Sequence, residues 1–382
     1  MFEFATAARI IVGRGAAREA GAAAAACGSR VFLVTGRTPA RAEPVRASLD
    51  AARLPVAIWP TAGEPCLEDI TRGAAALADA GADVVVAVGG GSVIDTAKAV
   101  AALAANGGDL LDYLEVIGAG RPLNRPALPV VAVPTTAGTG SEVTRNAVLG
   151  SREHGVKASL RSVHMLPRVA IVDPELTVDV PPDVSASTGL DALTQLIEGY
   201  VSARATPMTD ALAAAGIPRA AAALPRVVRD GRDLDAREDM AIAALWSGMV
   251  LANGGLGAVH GFAGPIGGMT GAAHGAICAA LLPHVMAANV DALRRRGAAD
   301  ALARFDHVAR LVTGRPEATA DDGVEWIRQL CRALGASPLR ALGVRASDTG
   351  RIVSAAMRAS SMKGNPIVLN EEELTAIVTA AL

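Results

Sequence analysis

The chain has 382 residues, which is enough for two domains and a large buried core. Apolar residues make up 51% of the sequence and aromatic residues only 3%, so we expect a globular protein with a core of Ala, Val, Leu and Ile, and a disordered chain is excluded. The formal net charge of −2 gives no reason to expect nucleic acid or an anionic membrane surface as a partner.

The cysteine pattern and the N-terminus bear on the cellular compartment. The cysteines are far apart and form no CxxC pair, which predicts reduced thiols in a cytoplasmic protein. The first residues, MFEFATAARIIVG, lack the basic region and long apolar run of a signal peptide. We expect no membrane-spanning helix, because apolar runs such as Ala22–Ala26 are too short.

Strands alternate with helices in the first part of the chain. Apolar, β-rich runs predict strands at Arg9–Val12, Arg30–Thr35, Pro55–Pro60, Asp83–Val88, Pro129–Val133 and Val169–Val172. Ala-rich periodic runs predict helices at Gly15–Cys27, Pro44–Ala52, Leu67–Ala80 and Val93–Ala105. This alternation predicts an α/β domain with a mainly parallel sheet, and the uninterrupted apolar run DVVVAV is typical of a strand buried on both faces.

Strand-like runs nearly vanish after Pro174. Helices are predicted at Ser185–Val201, Pro207–Ala223, Ala236–Asn253, Ala273–Asn289, Ala298–Val312, Asp321–Leu334, Ala346–Ala359 and Glu371–Ala381. We therefore place a domain boundary near Pro181–Pro182. The sequence predicts an α/β domain over residues 1–180 and an all-α domain over residues 181–382.

A glycine-rich segment, GGGSVIDTAK at Gly89–Lys98, follows the DVVVAV strand and opens a predicted helix. Glycines let backbone N–H groups approach an anion, and a helix N-terminus favours negative charge. The segment therefore predicts a phosphate-binding turn, and a plain tight turn is the alternative.

A second polar loop, PTTAGTGSEVT at Pro134–Thr144, follows the next strand and presents several hydroxyl groups. A loop of this kind at the carboxyl end of a strand suits nucleotide or phosphate binding at the mouth of a sheet. The alternative is an ordinary helix cap and turn.

Four side chains in the second part of the chain are candidate metal ligands. Asp191 and Gln195 are four residues apart on a predicted helix and so share one face. His260 and His274 bracket the glycine-rich run HGFAGPIGGMTGAAH. A carboxylate, an amide oxygen and two imidazoles suit a divalent metal, whereas the alternative is that both histidines are satisfied core residues. Cys278 lies one turn beyond His274, where we predict a small buried filler, and the alternative is that it approaches the metal site.

Blocks of sequence in the same order, over nearly the whole chain, resemble the iron-containing, or group III, alcohol dehydrogenases. They are GGGSVIDTAK, PTTAGTGSEVT, VAIVDPELTVDVPPDVSASTGLDALTQLIEGY, ANGGLGAVHGFAGPIGGMTGAAHG, LLPHVMAAN and KGNPIVLNEEEL. The resemblance implies a dinucleotide-binding α/β domain, an all-α C-terminal domain in a dehydroquinate synthase-like fold, and an active site in the cleft between them. It also implies a homodimer.

The resemblance assigns roles to particular residues. The implied cofactor-binding residues are Gly90, Gly91 and Ser92 at the pyrophosphate, Asp95 near the nicotinamide, Thr135 and Thr136 along the cofactor, and Lys157 at its ribose. The implied metal ligands, for Fe²⁺ or Zn²⁺, are Asp191, Gln195, His260 and His274.

Two positions depart from the family pattern. Gln195 stands where the family normally has a histidine ligand, and a neutral amide binds iron or zinc more weakly than an imidazole. Gly264, in HGFAG, stands where the family's HGMAH carries a second histidine, so a candidate proton relay is absent. The similar maleylacetate reductases are thought to work without the metal, but the retained Asp191 and the two histidines favour a bound metal here.

The residues after the strand RVFLVT bear on the choice of cofactor. Many NAD-using relatives carry an Asp there that binds the ribose hydroxyls, whereas this chain has Gly36, Arg37 and Thr38. Loss of the carboxylate and gain of a guanidinium favour NADP(H) over NAD(H). The alternative is that Arg37 simply points to solvent.

The resemblance implies an NAD(P)-dependent oxidoreductase that interconverts a small aldehyde or ketone and its alcohol by hydride transfer, with the metal as Lewis acid. No catalytic side chain beyond the metal centre is identified. The alternatives are a metal-independent maleylacetate reductase-like enzyme, a dehydroquinate synthase-like lyase and a catalytically dead cofactor-binding protein. The stretch Gly254–His274 contains no Lys or Arg, which disfavours a lyase acting on a phosphate-bearing substrate.

Overall fold

The structure, a computed structural model, describes residues 1–151 and 156–382. The chain folds into two compact units. The first, here called the sheet unit, comprises Ala5–Thr136 and Gly140–Asp179. The second, the helical unit, comprises Met1–Phe4, Ala137–Thr139 and Val180–Leu382.

The sheet unit contains a parallel sheet and a separate hairpin. Its strands are β1 (Arg9–Val12), β2 (Val31–Thr35), β3 (Val56–Pro60), β4 (Val84–Gly89), β5 (Val130–Pro134), β6 (Asn146–Ser151), β7 (Val156–Arg161) and β8 (Val169–Val172). Six strands pair in the order β1-β8-β5-β4-β2-β3, and every pairing among them is parallel. The predicted parallel sheet is therefore confirmed. Strands β2, β4, β5 and β8 are buried along their whole length, as their uninterrupted apolar sequences predict.

Helices cover both faces of this sheet. They are α1 (Ala20–Ala25), α2 (Glu43–Ala51), α3 (Leu67–Asp79) and α4 (Gly91–Asn106). Because successive strand residues point to opposite faces, Val85 and Ala87 of β4 pack in one core with α3 and α4. Val84 and Val86 of the same strand pack in a second core with α1 and α2.

The predicted helix Gly15–Cys27 is wrong in its first part, which is a 3₁₀ turn at Ala16–Glu19 followed by α1. The carboxylate of Asp173 accepts hydrogen bonds from the backbone N–H groups of Gly15 (3.2 Å) and Ala17 (3.0 Å). These bonds hold the entry to the segment in a tighter turn than an α-helix has.

The antiparallel hairpin β6–β7 was missed by sequence reasoning. Its apolar residues alternate only briefly, with Ala147 and Leu149 buried opposite Leu160 and Ala158. Two alternating pairs interrupted by glycine, serine and arginine give a weak strand signal. The hairpin packs against α4, and so it extends the core that lies under the glycine-rich segment.

The helical unit consists of helices joined by short turns. They are α5 (Pro182–Val201), α6 (Pro207–Arg229), α7 (Leu234–Gly254), α8 (Ala258–Thr270), α9 (His274–Arg295), α10 (Ala299–Thr313), α11 (Ala320–Ala333), α12 (Thr349–Arg358) and α13 (Glu371–Ala381). From Val180 onward the described residues contain no strand, which confirms the predicted all-α fold. Helix α8 was not predicted, because its 13 residues include four glycines and one proline, the residues least favourable to helix interiors.

The sequence predicted no helix able to span a membrane, and by length and composition alone that prediction is wrong. Helices α6 and α9 are each long and apolar enough to cross a membrane, and the pair α7 and α8, bent by 98°, would count as a third span if taken together. In α9, 72% of the apolar window is buried within the protein. A helix that is apolar on most of its circumference is also what the core of an all-α unit requires.

Helix α9 begins in direct contact with the backbone of α5. A Cβ added at Gly275 would lie 2.3 Å from the carbonyl oxygen of Ser187 and 3.4 Å from the Cβ of Asp191. Only glycine permits this approach. The contact brings the first turn of α9, with His274, beside Asp191.

We expect Gly275→Ala to lower the thermal unfolding midpoint, because the new methyl group would overlap a backbone oxygen that cannot turn away. Overpacking of this kind costs about 1–3 kcal/mol. Gly264→Ala in α8 is the matched control, since a Cβ there meets nothing within 4 Å. It should leave stability unchanged or raise it by up to about 1 kcal/mol. Equal midpoints for the two variants would contradict the proposed close packing of α5 and α9.

Candidate active site

Within the sheet unit, the start of the second predicted phosphate-binding loop lies beside the glycine-rich segment. Gly89 at the end of β4 is in register with Pro134 at the end of β5, and the backbone N–H of Thr135 donates to the carbonyl of Gly89 (3.0 Å). A Cβ added at Gly90 would lie 3.3 Å from Thr136 Oγ1. The structure therefore brings together Gly90, Thr135 and Thr136 at the carboxyl edge of the sheet.

The order of strands reverses at this edge. Strand β3 lies on one side of β2 and β4 lies on the other, so the connections from β2 and β3 run in opposite directions. Ligands of open parallel sheets bind at such a switch point, outside the carboxyl ends of the strands. Gly36 directly follows β2, and a Cβ there would lie 3.7 Å from Val93 in the first turn of α4. Arg37 and Thr38 are exposed beyond it.

The N-terminus of α4 is open to an anion. Gly90 is the cap residue, Gly91 is the first helical residue, and no side chain in the described part of the chain caps this 16-residue helix. Its first N–H groups and its dipole therefore favour a negatively charged ligand at the position where Gly90, Gly91 and Ser92 were predicted to hold a pyrophosphate.

Asp95 is held by groups of the sheet unit. Its carboxylate accepts hydrogen bonds from the hydroxyl of Ser141 and from the backbone N–H of Val148 (2.9 Å), and it pairs with Lys98 (3.0 Å). Lys98 is fully buried and also donates to the hydroxyl of Thr144 (3.0 Å). The Asp95 carboxylate thus ties α4 to the second loop and to the hairpin, and its place near the nicotinamide stays a prediction.

Burial shifts two ionisable groups in this network. It lowers the pKa of Lys98, although the neighbouring Asp95 opposes the shift. Burial also raises the pKa of Glu142, in the second loop, to about 7. Lys157, predicted to reach the cofactor ribose, lies in β7 and pairs with Glu64. A ribose hydroxyl would therefore compete with that carboxylate for the Lys157 ammonium group.

Three of the four predicted metal ligands converge within the helical unit. Asp191 lies in α5, His260 in α8 and His274 at the first position of α9. Asp191 Oδ1 lies 3.3 Å from His260 Nε2 and 3.7 Å from His274 Nε2. The Asp191 carboxylate is almost fully buried, and its Oδ1 atom accepts no hydrogen bond in the described structure.

Gln195, the fourth predicted ligand, is one turn beyond Asp191 in α5 and is also buried. Its Oε1 atom accepts a hydrogen bond from the hydroxyl of Ser247 in α7 (3.0 Å). The amide oxygen that a metal would use is thus engaged by a neighbour. Its role as a ligand stays a prediction.

Cys278 joins the cluster. It is fully buried, as predicted for a small filler, but its Sγ atom lies 3.7 Å from His274 Nε2 and 3.9 Å from His260 Nε2. The candidate ligand atoms of Asp191, His260, His274 and Cys278 all lie within 4.8 Å of one another. In the sequence, the spacing of four residues between His274 and Cys278 indicates that the two side chains share one face of a helix.

Glu198 supports the cluster and was missed by sequence reasoning. Its Oε2 lies 2.7 Å from His260 Nδ1, and its Oε1 accepts a hydrogen bond from the backbone N–H of Val259 (2.7 Å). A carboxylate on the second ring nitrogen orients a histidine ligand and leaves Nε2 free for a metal. Glu198 is seven residues from Asp191, on the same face of α5, and that spacing could have identified it.

The charges of the cluster stabilise one another. Burial disfavours the charged form of Asp191, but the neighbouring His274 and the contact with His260 lower the pKa of this carboxyl below its ordinary value. Burial favours the neutral form of His260, but Cys278 and Asp191 raise the pKa of this imidazole well above its ordinary value. The carboxylate therefore stays ionised in the core and requires positive charge beside it.

The donor set fits a divalent transition metal. A carboxylate and two imidazoles are common ligands of zinc and of iron. An ionised carboxylate oxygen that is buried without a hydrogen bond is otherwise costly, so a cation beside Asp191 Oδ1 would satisfy it. Gly264, where the family pattern has a histidine, lies in α8, and a Cβ added there would meet nothing within 4 Å among the described residues.

Comparison with known proteins identifies the family to which this chain belongs. The family model of the iron-containing alcohol dehydrogenases matches residues 7–174, and that of the Fe-containing alcohol dehydrogenase family, C-terminal, matches residues 185–382. The NAD-dependent methanol dehydrogenase of Bacillus methanolicus is 35% identical over 378 residues, which are 97% of each chain.

Solved structures show the same fold. A 1,3-propanediol oxidoreductase has a TM-score of 0.93 and 34% identity, with both chains covered completely. A sulfoacetaldehyde reductase from Bifidobacterium kashiwanohense, solved in complex with NAD⁺, has a TM-score of 0.88 and 29% identity and covers 100% of this chain and 98% of its own. The predicted fold, enzyme class and oxidoreductase activity are confirmed, and none of the alternative functions is favoured. This chain belongs to the iron-containing alcohol dehydrogenase family.

Proposed function

We propose that this enzyme transfers a hydride between a nicotinamide cofactor and the carbonyl carbon of a small aldehyde or ketone, with a divalent metal held by Asp191, His260 and His274. The observation that carries the proposal is that these three buried side chains converge at Asp191 Oδ1, an atom that accepts no hydrogen bond from the described residues. When bound, the cation supplies Lewis acidity to a carbonyl oxygen.

The protein's own residues prepare this site. Asp191 supplies the only formal negative charge among the three ligands, so a divalent ion there keeps a net positive charge that stabilises a developing alkoxide. Glu198 fixes the ring of His260 through Nδ1 and so presents Nε2. Since Gly264 removes the family's second histidine, the proton would reach the product alkoxide through water or a cofactor hydroxyl.

The cofactor would bind at the sheet edge. Gly90 and Gly91 leave room for a pyrophosphate at the open N-terminus of α4, and the hydroxyl groups of Thr135 and Thr136 would border it. Two similar proteins are named for NAD, or solved with it, and NAD(H) therefore fits this enzyme. We propose in addition that Arg37 lets the site take NADP(H), because an exposed guanidinium suits a 2′-phosphate.

Complete removal of the metal should abolish activity. We expect the rate of aldehyde-dependent NAD(P)H oxidation to fall at least about 100-fold, since a Lewis acid contributes several kcal/mol to the transition state. Readdition of zinc or iron should restore it, with metal analysis and the thermal midpoint measured on the same samples. A folded, metal-free protein with undiminished activity would support the maleylacetate reductase-like alternative instead.

Glu198→Gln should weaken metal binding by about 10- to 100-fold, as is usual when a histidine ligand loses its supporting carboxylate. Glu198→Asp keeps the charge and should recover part of this affinity. The measurement is competition of each holoenzyme with a chelator, with circular dichroism to verify folding. Unchanged metal affinity in a folded Glu198→Gln protein would show that Glu198 only anchors the start of α8.

Arg37→Asp should shift the cofactor preference. We expect kcat/KM for NADPH relative to NADH to fall by at least about 10-fold, since charge-assisted hydrogen bonds contribute about 1.5–3 kcal/mol. Arg53→Asp makes the same change in charge at another exposed position of the sheet unit and should leave the ratio unchanged. A wild-type protein that uses NADH alone, or an Arg37→Asp variant with an unaltered ratio, would overturn the assignment of Arg37.

A further inference from the structure

The cluster of candidate metal ligands has a fourth donor that the family pattern does not supply. Cys278 Sγ lies within reach of both histidine ligands, at 3.7 Å from His274 Nε2 and 3.9 Å from His260 Nε2. It stands one turn beyond His274 on α9, so the helix that supplies one ligand also supplies the thiol.

The separations within the cluster match the edges of a tetrahedral site. Bonds of about 2.0–2.3 Å around a tetrahedral zinc place neighbouring ligand atoms roughly 3.3–3.8 Å apart. Asp191 Oδ1 lies 3.3 Å from His260 Nε2 and 3.7 Å from His274 Nε2. With the two sulfur distances of 3.7 and 3.9 Å, four edges of the tetrahedron are within about 0.1 Å of the range.

A second observation points to a bound cation at the same place. Asp191 is 1% exposed, and its Oδ1 atom accepts no hydrogen bond in the described residues. The amide oxygen of Gln195, by contrast, already accepts a hydrogen bond from Ser247 (3.0 Å). Recruiting Gln195 to a metal would compete with that buried contact, and the Ser247 hydroxyl would then donate to the carbonyl oxygen of Ala244 (2.8 Å).

We infer that Cys278, and not Gln195, supplies the fourth protein ligand to the metal. This inference rests on the proposed function, in which a metal binds Asp191, His260 and His274. The sulfur binds as a thiolate: the S–H bond breaks, its proton passes to solvent, and the S–metal bond forms without any oxidation or reduction.

A thiolate changes the character of the site in two ways. It adds a second formal negative charge to that of Asp191, so the charge of a divalent ion is neutralised. The Lewis acidity of the ion is then lower than with a neutral amide as the fourth ligand. It also adds a soft donor, which favours zinc over iron more strongly than imidazole and carboxylate alone do. The loss of the family's histidine at Gln195 is thereby offset by a different ligand on a neighbouring helix.

X-ray absorption spectroscopy of the zinc-loaded full-length enzyme tests the inference. The spectrum should contain one sulfur neighbour at about 2.3 Å. Cys278→Ala should lose that neighbour and bind zinc at least about 100-fold more weakly, beyond what loss of an outer-shell partner usually costs. Cys331→Ala, at another buried thiol of the helical unit, is the matched control and should keep both the sulfur neighbour and the affinity.

Gln195→Ala completes the design, and we expect it to keep the sulfur neighbour and to weaken zinc binding by less than about 10-fold. Zinc bound in the wild-type enzyme by nitrogen and oxygen alone would overturn the role of Cys278 and leave the proposed function standing. A wild-type protein that binds no metal would overturn both. The wild-type spectrum decides these outcomes even if Cys278→Ala fails to fold.

Discussion

The candidate metal site depends on the carboxylate of Asp191, which is buried with one oxygen that accepts no hydrogen bond from the described residues. Burying an ionised group in this way costs several kcal/mol unless positive charge lies beside it. Asp191 meets that condition through two imidazoles delivered by α8 and α9. The glycine contact between α5 and α9 and the carboxylate of Glu198 both act to hold these rings in place. The contacts that pack α5, α8 and α9 together therefore also position the candidate metal ligands.

The sheet unit also buries a charged side chain, here the positively charged Lys98. Lys98 is fully buried, and its ammonium group is satisfied by Asp95 and by oxygens of the second loop and the hairpin. This internal network fixes the second loop against α4, directly behind Gly90. No side chain of the described residues caps the N-terminus of α4, so its first N–H groups are left for an anion.

Most of the fold was predictable because its signals are local. Uninterrupted apolar strands and Ala-rich helices gave β1 and β8 to the residue and most other elements to within a few residues. Helix α8 was missed because its glycines lower helix propensity, and only its burial against other helices makes it form. Asp191, His260 and His274 were singled out from residue type and spacing, and the structure brings them together. Cys278 was noted but assigned a packing role, because nothing in a sequence shows that a thiol one turn from a histidine points to it.

Helix α8 carries His260 although its own sequence hardly supports a helix. Proline at position 265 removes one backbone hydrogen bond, and the glycines add conformational entropy to the unfolded segment. The helical conformation of this segment therefore depends on the burial of its apolar residues in the core of the helical unit. The orientation of the His260 imidazole depends on the same burial, because His260 lies in the first turn of α8. Tertiary packing, more than local helix propensity, thus places this imidazole.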